Sequence, residues 1–258
     1  MNRLLIGCIL VVGCGFAQDT LGPAFKGNNI EEVIKHVTAS SGASPKSEFE
    51  TTQQYEKRIA ATERFIFVGP NPPADPNEPF YTEVADFKYD ADSQTMSVSV
   101  DGLTEYDQDV KWFLAFTLVA RVKILPSYMG ENTFGVHKAI RKQTVEMFGI
   151  GVEGEYRDLL RQKYGASCSI APDEARTVKP FLKVGFVVLC KPVIHRTHDH
   201  HTPTLSNPFD NTLNGVFVSS TIQAILIFDS RTGKVLAVNS VAVVVGNAGF
   251  LDNGEWSF

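Results

Sequence analysis

The sequence predicts an α+β fold: one large antiparallel sheet with two or three helices. Three observations lead there. Residues 110–125, VKWFLAFTLVARVKIL, put an apolar side chain at every even position from Val110 to Ile124. Successive side chains of a strand point to opposite faces, so this is a long strand with one continuous buried face, the centre of the sheet. The last third repeats the pattern in 182–194 and 216–228, with a return strand over 234–245 after the turn Asp229-Ser230-Arg231-Thr232-Gly233. Helical spacing appears only in short windows.

Of the 258 residues, 43% are hydrophobic and 21% charged, so the chain can bury a sizeable core. A net charge of −5 argues against a general nucleic-acid binder and gives no overall attraction to anionic lipid. Residues 1–17 read as a leader: Arg3, then an apolar run from Leu4 to Val12, then Gly15-Phe16-Ala17 before Gln18. That run falls short of the roughly 20 apolar residues a membrane span needs. Two readings stand. Cleavage before Gln18 sends the chain to the periplasm or outside the cell. Alternatively Val11-Val12-Gly13-Cys14 is a lipobox, Cys14 is acylated, and the product is an outer-membrane lipoprotein. The leader is followed by an N-terminal arm and helix over 18–44, then a single α+β domain over 45–258.

Asn29 caps a helix from Ile30 to about Ala39, whose Ile30, Val33, Ile34 and Val37 share one face. Ser47 and Glu50 have capping-box spacing, with Thr52 as a competing cap, for a helix to about Ala61 that turns Phe49, Tyr55 and Ile59 inward. Arg64–Val68 is a strand, and 69–79, with five prolines, a structured loop. Phe80–Lys88 and Thr95–Val100 form a hairpin about Tyr89-Asp90-Ala91-Asp92-Ser93-Gln94. After the central strand, 126–130 is a turn, 134–150 a strand and 153–164 a helix. The tail from Gly246 carries Trp256 and Phe258 as anchors.

Several segments together resemble a group of uncharacterised secreted or lipid-anchored bacterial proteins. Lys46-Ser47-Glu48-Phe49-Glu50-Thr51-Thr52 with Tyr55 and Arg58 is similar to their KxEFETTxxYxxR segment. Tyr89-Asp90-Ala91-Asp92 is similar to their YDAD turn, and 128–135 to a YxGxNxFG segment. Pro203-Thr204 with Asn207-Pro208 is similar to a PTxxxP loop. The resemblance implies no activity. Read from the residues alone, Glu48, Glu50 and Arg58 are cap and surface charges, and Asn132 and Gly135 are turn residues.

The sharpest chemical cluster is His195-Arg196-Thr197-His198-Asp199-His200-His201. Imidazole is the commonest metal ligand, so His195, His198, His200 and His201 are candidate ligands for zinc or copper, with Asp199 as a further ligand or an orienting group. His198 and His200 share a face if the segment is extended. Arg196 opposes a cation, and one tract alone is compositional evidence, so a solvated loop is the competing reading. His137 lies on another strand. No nucleophile elbow, P-loop, H-E-x-x-H or dinucleotide fingerprint is present. The stretch 149–154, GIGVEG, reads as a loop between strand and helix. Asp107/Asp109 and Asp90/Asp92 read as turn carboxylates. Outside the leader and Cys14, the cysteines are Cys168 and Cys190. An even number in an oxidising compartment predicts a bridge between them, with two free thiols as the competing reading.

These features favour a non-catalytic exported envelope protein that binds another protein or a cell-wall component. One alternative is a metal-dependent hydrolase or metal-binding protein using the His195–His201 tract. Another is a periplasmic inhibitor or immunity-type protein.

Overall fold

In a computed structural model of the chain, the described residues are 21–39, 46–59, 62–69, 86–107, 112–131, 133–160 and 162–241. The leader with Cys14, the proline-rich loop and the tail with Trp256 and Phe258 lie outside them, as does the start of the expected strand at Phe80.

The first helix forms as its spacing predicts. Asn29 Oδ1 accepts the backbone N–H of Glu31 at 2.9 Å and of Glu32 at 3.3 Å, capping α1 (Ile30–Ala39). Ile30, Val33, Ile34 and Val37 are its buried face. In α2 (Thr52–Ile59) the cap is one turn later than Ser47/Glu50 suggests. Thr51 Oγ1 accepts the Gln54 N–H at 3.2 Å, and Gln54 Oε1 accepts the Thr51 N–H at 2.9 Å, a reciprocal box. Glu50 instead takes Arg58 in a two-pronged ion pair, each bond 2.8 Å. Phe49, expected inward, is exposed.

The strands are β1 (Glu63–Val68), β2 (Asp86–Asp90), β3 (Thr95–Val100), β4 (Leu103–Tyr106), β5 (Trp112–Glu131), β6 (His137–Glu153), β7 (Tyr164–Ser169), β8 (Leu182–His201), β9 (Phe209–Asp229) and β10 (Val235–Ser240). Two short helices, α3 (Tyr156–Leu159) and α4 (Pro172–Val178), flank β7. One sheet runs β1-β8-β9-β6-β5-β4, with β10 also on β9. The other is β2-β3-β7.

Two corrections to the expected class follow. Among the described residues 59% lie in strands and there are four short helices, so the fold is mainly β rather than clearly α+β. The large sheet is mixed rather than antiparallel, because β6 and β9 pair in parallel from Arg141/Phe209 to Gly151/Ser219. The β5–β6 and β8–β9 hairpins are each antiparallel and are joined along that one parallel seam.

The central strand is longer than its alternation shows, and its buried face is shorter. Leu114, Phe116 and Leu118 are buried, but a bulge between Thr117 and Val119 shifts the register, and Val122 and Ile124 are exposed. Phe113 and Ala115, on the opposite face, are as buried as Phe116. The residues expected to turn at 126–130 continue the strand. A second irregularity between Leu125 and Tyr128 takes Pro126 out of the ladder, as its missing N–H requires. GIGVEG is not a loop: Gly149 and Gly151 lie on one face of β6. A Cβ on Gly149 would overlap the Phe116 carbonyl oxygen, so the strands approach there as only glycine permits. The helix expected over 153–164 shrinks to α3, and Tyr164 opens β7.

The main core lies between one face of the large sheet and a layer made by the small sheet, α1 and α4. It joins Val33 and Val37, Met96 and Val98, Leu114 and Phe116, Ile150, Ala166, Ala175, Phe186 and Val218. At its centre Phe116 meets the Tyr164 ring edge-on at 5.2 Å and the Phe186 ring at 5.5 Å. Truncating a buried aromatic there removes ring contacts to β7 and β8, so Phe116→Ala should cost about 3–5 kcal/mol. Ile124→Ala, 79% exposed on the same strand, should change stability by within roughly 0.5 kcal/mol. Urea denaturation of both variants checks this, and comparable losses would contradict the placement of the bulge.

Candidate functional site

On the other face of the large sheet Phe113, Ala115, Val145, Met147 and Phe217 form a second, smaller core. The sheet itself encloses it. Asp107, directly after β4, reaches β8, although β5, β6 and β9 lie between those strands. In a flat sheet four strand spacings would separate them by about 19 Å. Instead Asp107 Oδ2 is 2.7 Å from His195 Nδ1. The sheet therefore rolls until its β4 side faces β8. Glu105 on β4 reports the same closure. Burial, and then the nearby charge of Asp199 on β8, push its carboxyl pKa up.

His195 is the residue that meets the roll from inside. Its ring is 1% exposed and stacks on Phe113 at 4.6 Å with 17° between planes. Nδ1 faces Asp107, and Nε2 faces Glu153 Oε1 on β6 at 3.1 Å. Ser219 on β9 donates to the same Glu153 oxygen at 2.7 Å, and Lys191 Nζ lies 3.5 Å from Oε2. Gly151 leaves the space: a Cβ there would stand 2.8 Å from the Phe113 ring and 3.2 Å from the His195 ring. Two carboxylates flanking one imidazole require both ring nitrogens to donate, which is the cationic form. Burial opposes that charge, but the hydrogen bonds to Glu153 and Asp107 outweigh it, and the His195 pKa is raised. The hydrogen bond from His195 is the largest influence on Glu153, exceeding the opposing effect of burial. With Ser219 and Lys191 it holds that carboxyl at about 2.

The other candidate ligands do not gather around His195. The tract is the outer third of β8, not a loop, so its residues alternate between faces. His198 and His200 share the face away from the roll. His198 Nδ1 is 2.8 Å from Asn214 Oδ1, and His200 Nε2 is 2.8 Å from Asp210 Oδ1. His201 lies 3.2 Å from Asp199, and His137 is 4.0 Å from Glu131. Among the described residues, no group of three or more His, Cys, Asp or Glu side chains is placed to hold one metal ion.

Asp210 is the hub of a second polar row. Tyr128 on β5 donates to its Oδ2 at 3.2 Å, Lys142 on β6 lies at 4.0 Å, and His200 approaches from β8. Behind this row, on the opposite face, Gln143 and Asn211 are register neighbours in the parallel seam. Both are buried, and Gln143 Nε2 and both amide atoms of Asn211 have no hydrogen-bond partner.

Two site expectations change. Cys168 and Cys190 are not bridged in this structure, where the sequence predicts a bridge. Cys168 lies on β7 opposite Met96 in the small sheet; Cys190 lies on β8 with Sγ 3.3 Å from Ser220 Oγ. Burial pushes the Cys190 thiol up to about 11. Asp107, taken as a turn carboxylate, is buried and functions as the partner of His195. Sequence reasoning missed it because the pairing spans 88 residues. The expected strand over 182–194, with its apolar face at even positions, gave no signal of it, because His195 lies just beyond that strand and on the other face.

Three outcomes are expected. Removing His195 leaves two buried or half-buried carboxylates facing each other, so His195→Ala should cost about 3–5 kcal/mol. The raised His195 pKa contributes stability that is complete below its unfolded value, about 6.5, and is lost as pH rises through the folded value. The lowered Glu153 pKa contributes stability that is complete above about 4.5 and is lost as pH falls toward about 2. Stability measured by urea denaturation should therefore peak between these limits. His195→Gln should flatten the alkaline limb, and an unchanged alkaline limb would show that the imidazole is not held as a cation. Titration of the unfolded, unreduced chain from Gln18 onward should find two free thiols; finding none would restore the bridge.

Comparison with known proteins adds no relative: no protein-family model, no curated protein and no solved structure matches the chain.

Proposed function

We propose that this chain is a non-catalytic binding protein of the cell envelope that takes a partner protein along the open edge of β5. The observation that carries the reading is the mismatch between β4 and β5. β4 pairs only with Trp112–Ala115, whereas β5 continues to Glu131. From Leu118 to Leu125 no described strand pairs with that edge. An open edge presents a row of backbone donors and acceptors on which an extended segment of another protein can add as a strand. Val122 and Ile124 stand exposed on one face of this stretch, where side chains of an added strand would pack beside them.

The absence of catalysis in this reading rests on the buried cluster. Both nitrogens of His195 are engaged by carboxylates, and Ser219 donates to Glu153 rather than to the imidazole. Such an arrangement engages both imidazole nitrogens in tying the end of β4 to β6 and β8. The leader read from residues 1–17 supports an envelope location. An inhibitor is the special case in which the partner is an enzyme.

The reading is tested by affinity purification from an envelope fraction with the native chain and a Val122→Lys/Ile124→Lys variant. The native chain should retain a partner in stoichiometric amount, and the variant should lose it. Each exposed substitution should alter stability by no more than roughly 0.5 kcal/mol. A partner that remains on the variant, or none on the native chain, rejects the proposal.

A further inference from the structure

The parallel seam places two hairpin tips at one end of the large sheet. β6 begins at His137 and β9 at Phe209, and they run in the same direction with Arg141 opposite Phe209. The turns that feed them therefore emerge side by side. Lys138 Nζ donates to the Leu205 carbonyl, and the Arg141 N–H donates to the Pro208 carbonyl at 2.9 Å, so the tips are tied together.

Apolar side chains stand in the open on this end. Phe134 is 89% exposed, Met129 64%, Leu205 49% and Val136 48%. Phe134 lies in one turn, Leu205 in the other, and Val136 and Met129 beside the first. Phe134, Val136 and Leu205 precede the first residues of β6 and β9, at the ends of two hairpins. Exposed apolar groups gathered in this way mark an interaction surface. A protein partner would need a matching surface, whereas the boundary between headgroups and acyl chains deforms around such ends.

The charges behind these side chains favour an anionic surface. Residues 123–142 and 200–212 contain four cations, Lys123, Lys138, Arg141 and Lys142, against two carboxylates, Glu131 and Asp210. The local balance is +2 on a chain of −5. Asp210 is itself engaged by His200 and Lys142. Lys138 and Arg141 stand nearest the tips, and Lys142 and Lys123 extend the cationic flank along β6 and β5. Their long side chains keep the charge in the polar layer while apolar neighbours sit deeper.

We propose that this end of the sheet docks on an anionic lipid surface, with Phe134, Met129, Val136 and Leu205 entering the acyl boundary and the flanking cations meeting headgroup phosphates. No helix among the described residues is long and apolar enough to cross a membrane. The contact is interfacial, the apolar-plus-basic combination used by amphipathic surface elements, here built on strand ends. It shares only Lys123 with the open edge of β5 and does not depend on a partner strand there.

The test uses the chain from Gln18 onward, which contains every described element and lacks the apolar leader. In flotation with vesicles it should travel with phosphatidylcholine–phosphatidylglycerol mixtures, leave them as salt is raised, and bind phosphatidylcholine alone only weakly. Phe134→Glu/Leu205→Glu should lower the vesicle affinity at least roughly tenfold, as loss of two buried apolar side chains requires. Its circular dichroism and melting should match the native chain. If the double variant is misfolded, Phe134→Trp answers instead: its emission should shift to the blue on adding anionic vesicles. Failure of the native chain to float with anionic vesicles overturns the proposal. So does equal binding to neutral vesicles, unchanged affinity in a folded double variant, or an unmoved tryptophan emission. Loss of a protein partner in the double variant, with no vesicle binding by the native chain, would assign the tips to a protein.

Discussion

The parallel seam between β6 and β9 is the constraint on which the rest of the molecule depends. Either hairpin alone, β5–β6 or β8–β9, is an antiparallel pair with two open sides. Joined along β6 and β9, they form four long strands with one common direction of projection. That direction puts the inner ends in the main core and the outer ends beyond it. The seam also places the inward residues of β6, β9 and β8 in register across the roll: Gly151 beside Ser219, Gly149 beside Phe217, and Phe217 beside His195.

The two faces of the sheet solve different packing problems. One meets a separate layer, and large side chains such as Phe116 and Phe186 fill the gap. The other meets only itself. Closing on itself demands tight curvature, so glycines occur at alternate positions of β6 and the remaining space takes one aromatic pair and one imidazole. A charged group is admitted to that interior because it arrives with two counter-charges and a hydroxyl donor. The orphaned amides of Gln143 and Asn211 at the outer end lack such company, and buried polar groups of that kind normally hold water.

The sequence made local elements legible and concealed how they join. The period of Ile30, Val33, Ile34 and Val37 showed α1 and its buried face, and the alternation in β5, β8 and β9 showed three strands. Strand direction was not legible, because parallel and antiparallel pairing place the same side chains on the same faces. The bulge after Thr117 was also hidden: alternation continued through Val122 and Ile124, but a one-residue shift changed what those residues face. At the site, the histidine tract drew attention by its density. The member that matters structurally is the one whose partners come from distant strands. Asp107 and Glu153 look ordinary in sequence, one beside a turn and one at a strand end, and only the roll of the sheet makes them partners.

The order of strands in space has a kinetic consequence. β1 pairs with β8, whose register couples Glu63 to Cys190, and β9, the strand with three neighbours, begins only at Phe209. β1 and α1, near the start of the chain, thus find their partners in the last third. Contacts of such sequence separation must close large loops before they are rewarded, which makes a high-contact-order topology slow to fold. As the chain leaves the ribosome, β5 and β6 can form their hairpin, but its inner face has no β9 to rest on, and α1 has no sheet beneath it. Those pairings wait until β8 and β9 have been made, so the complete sheet is among the last things to form.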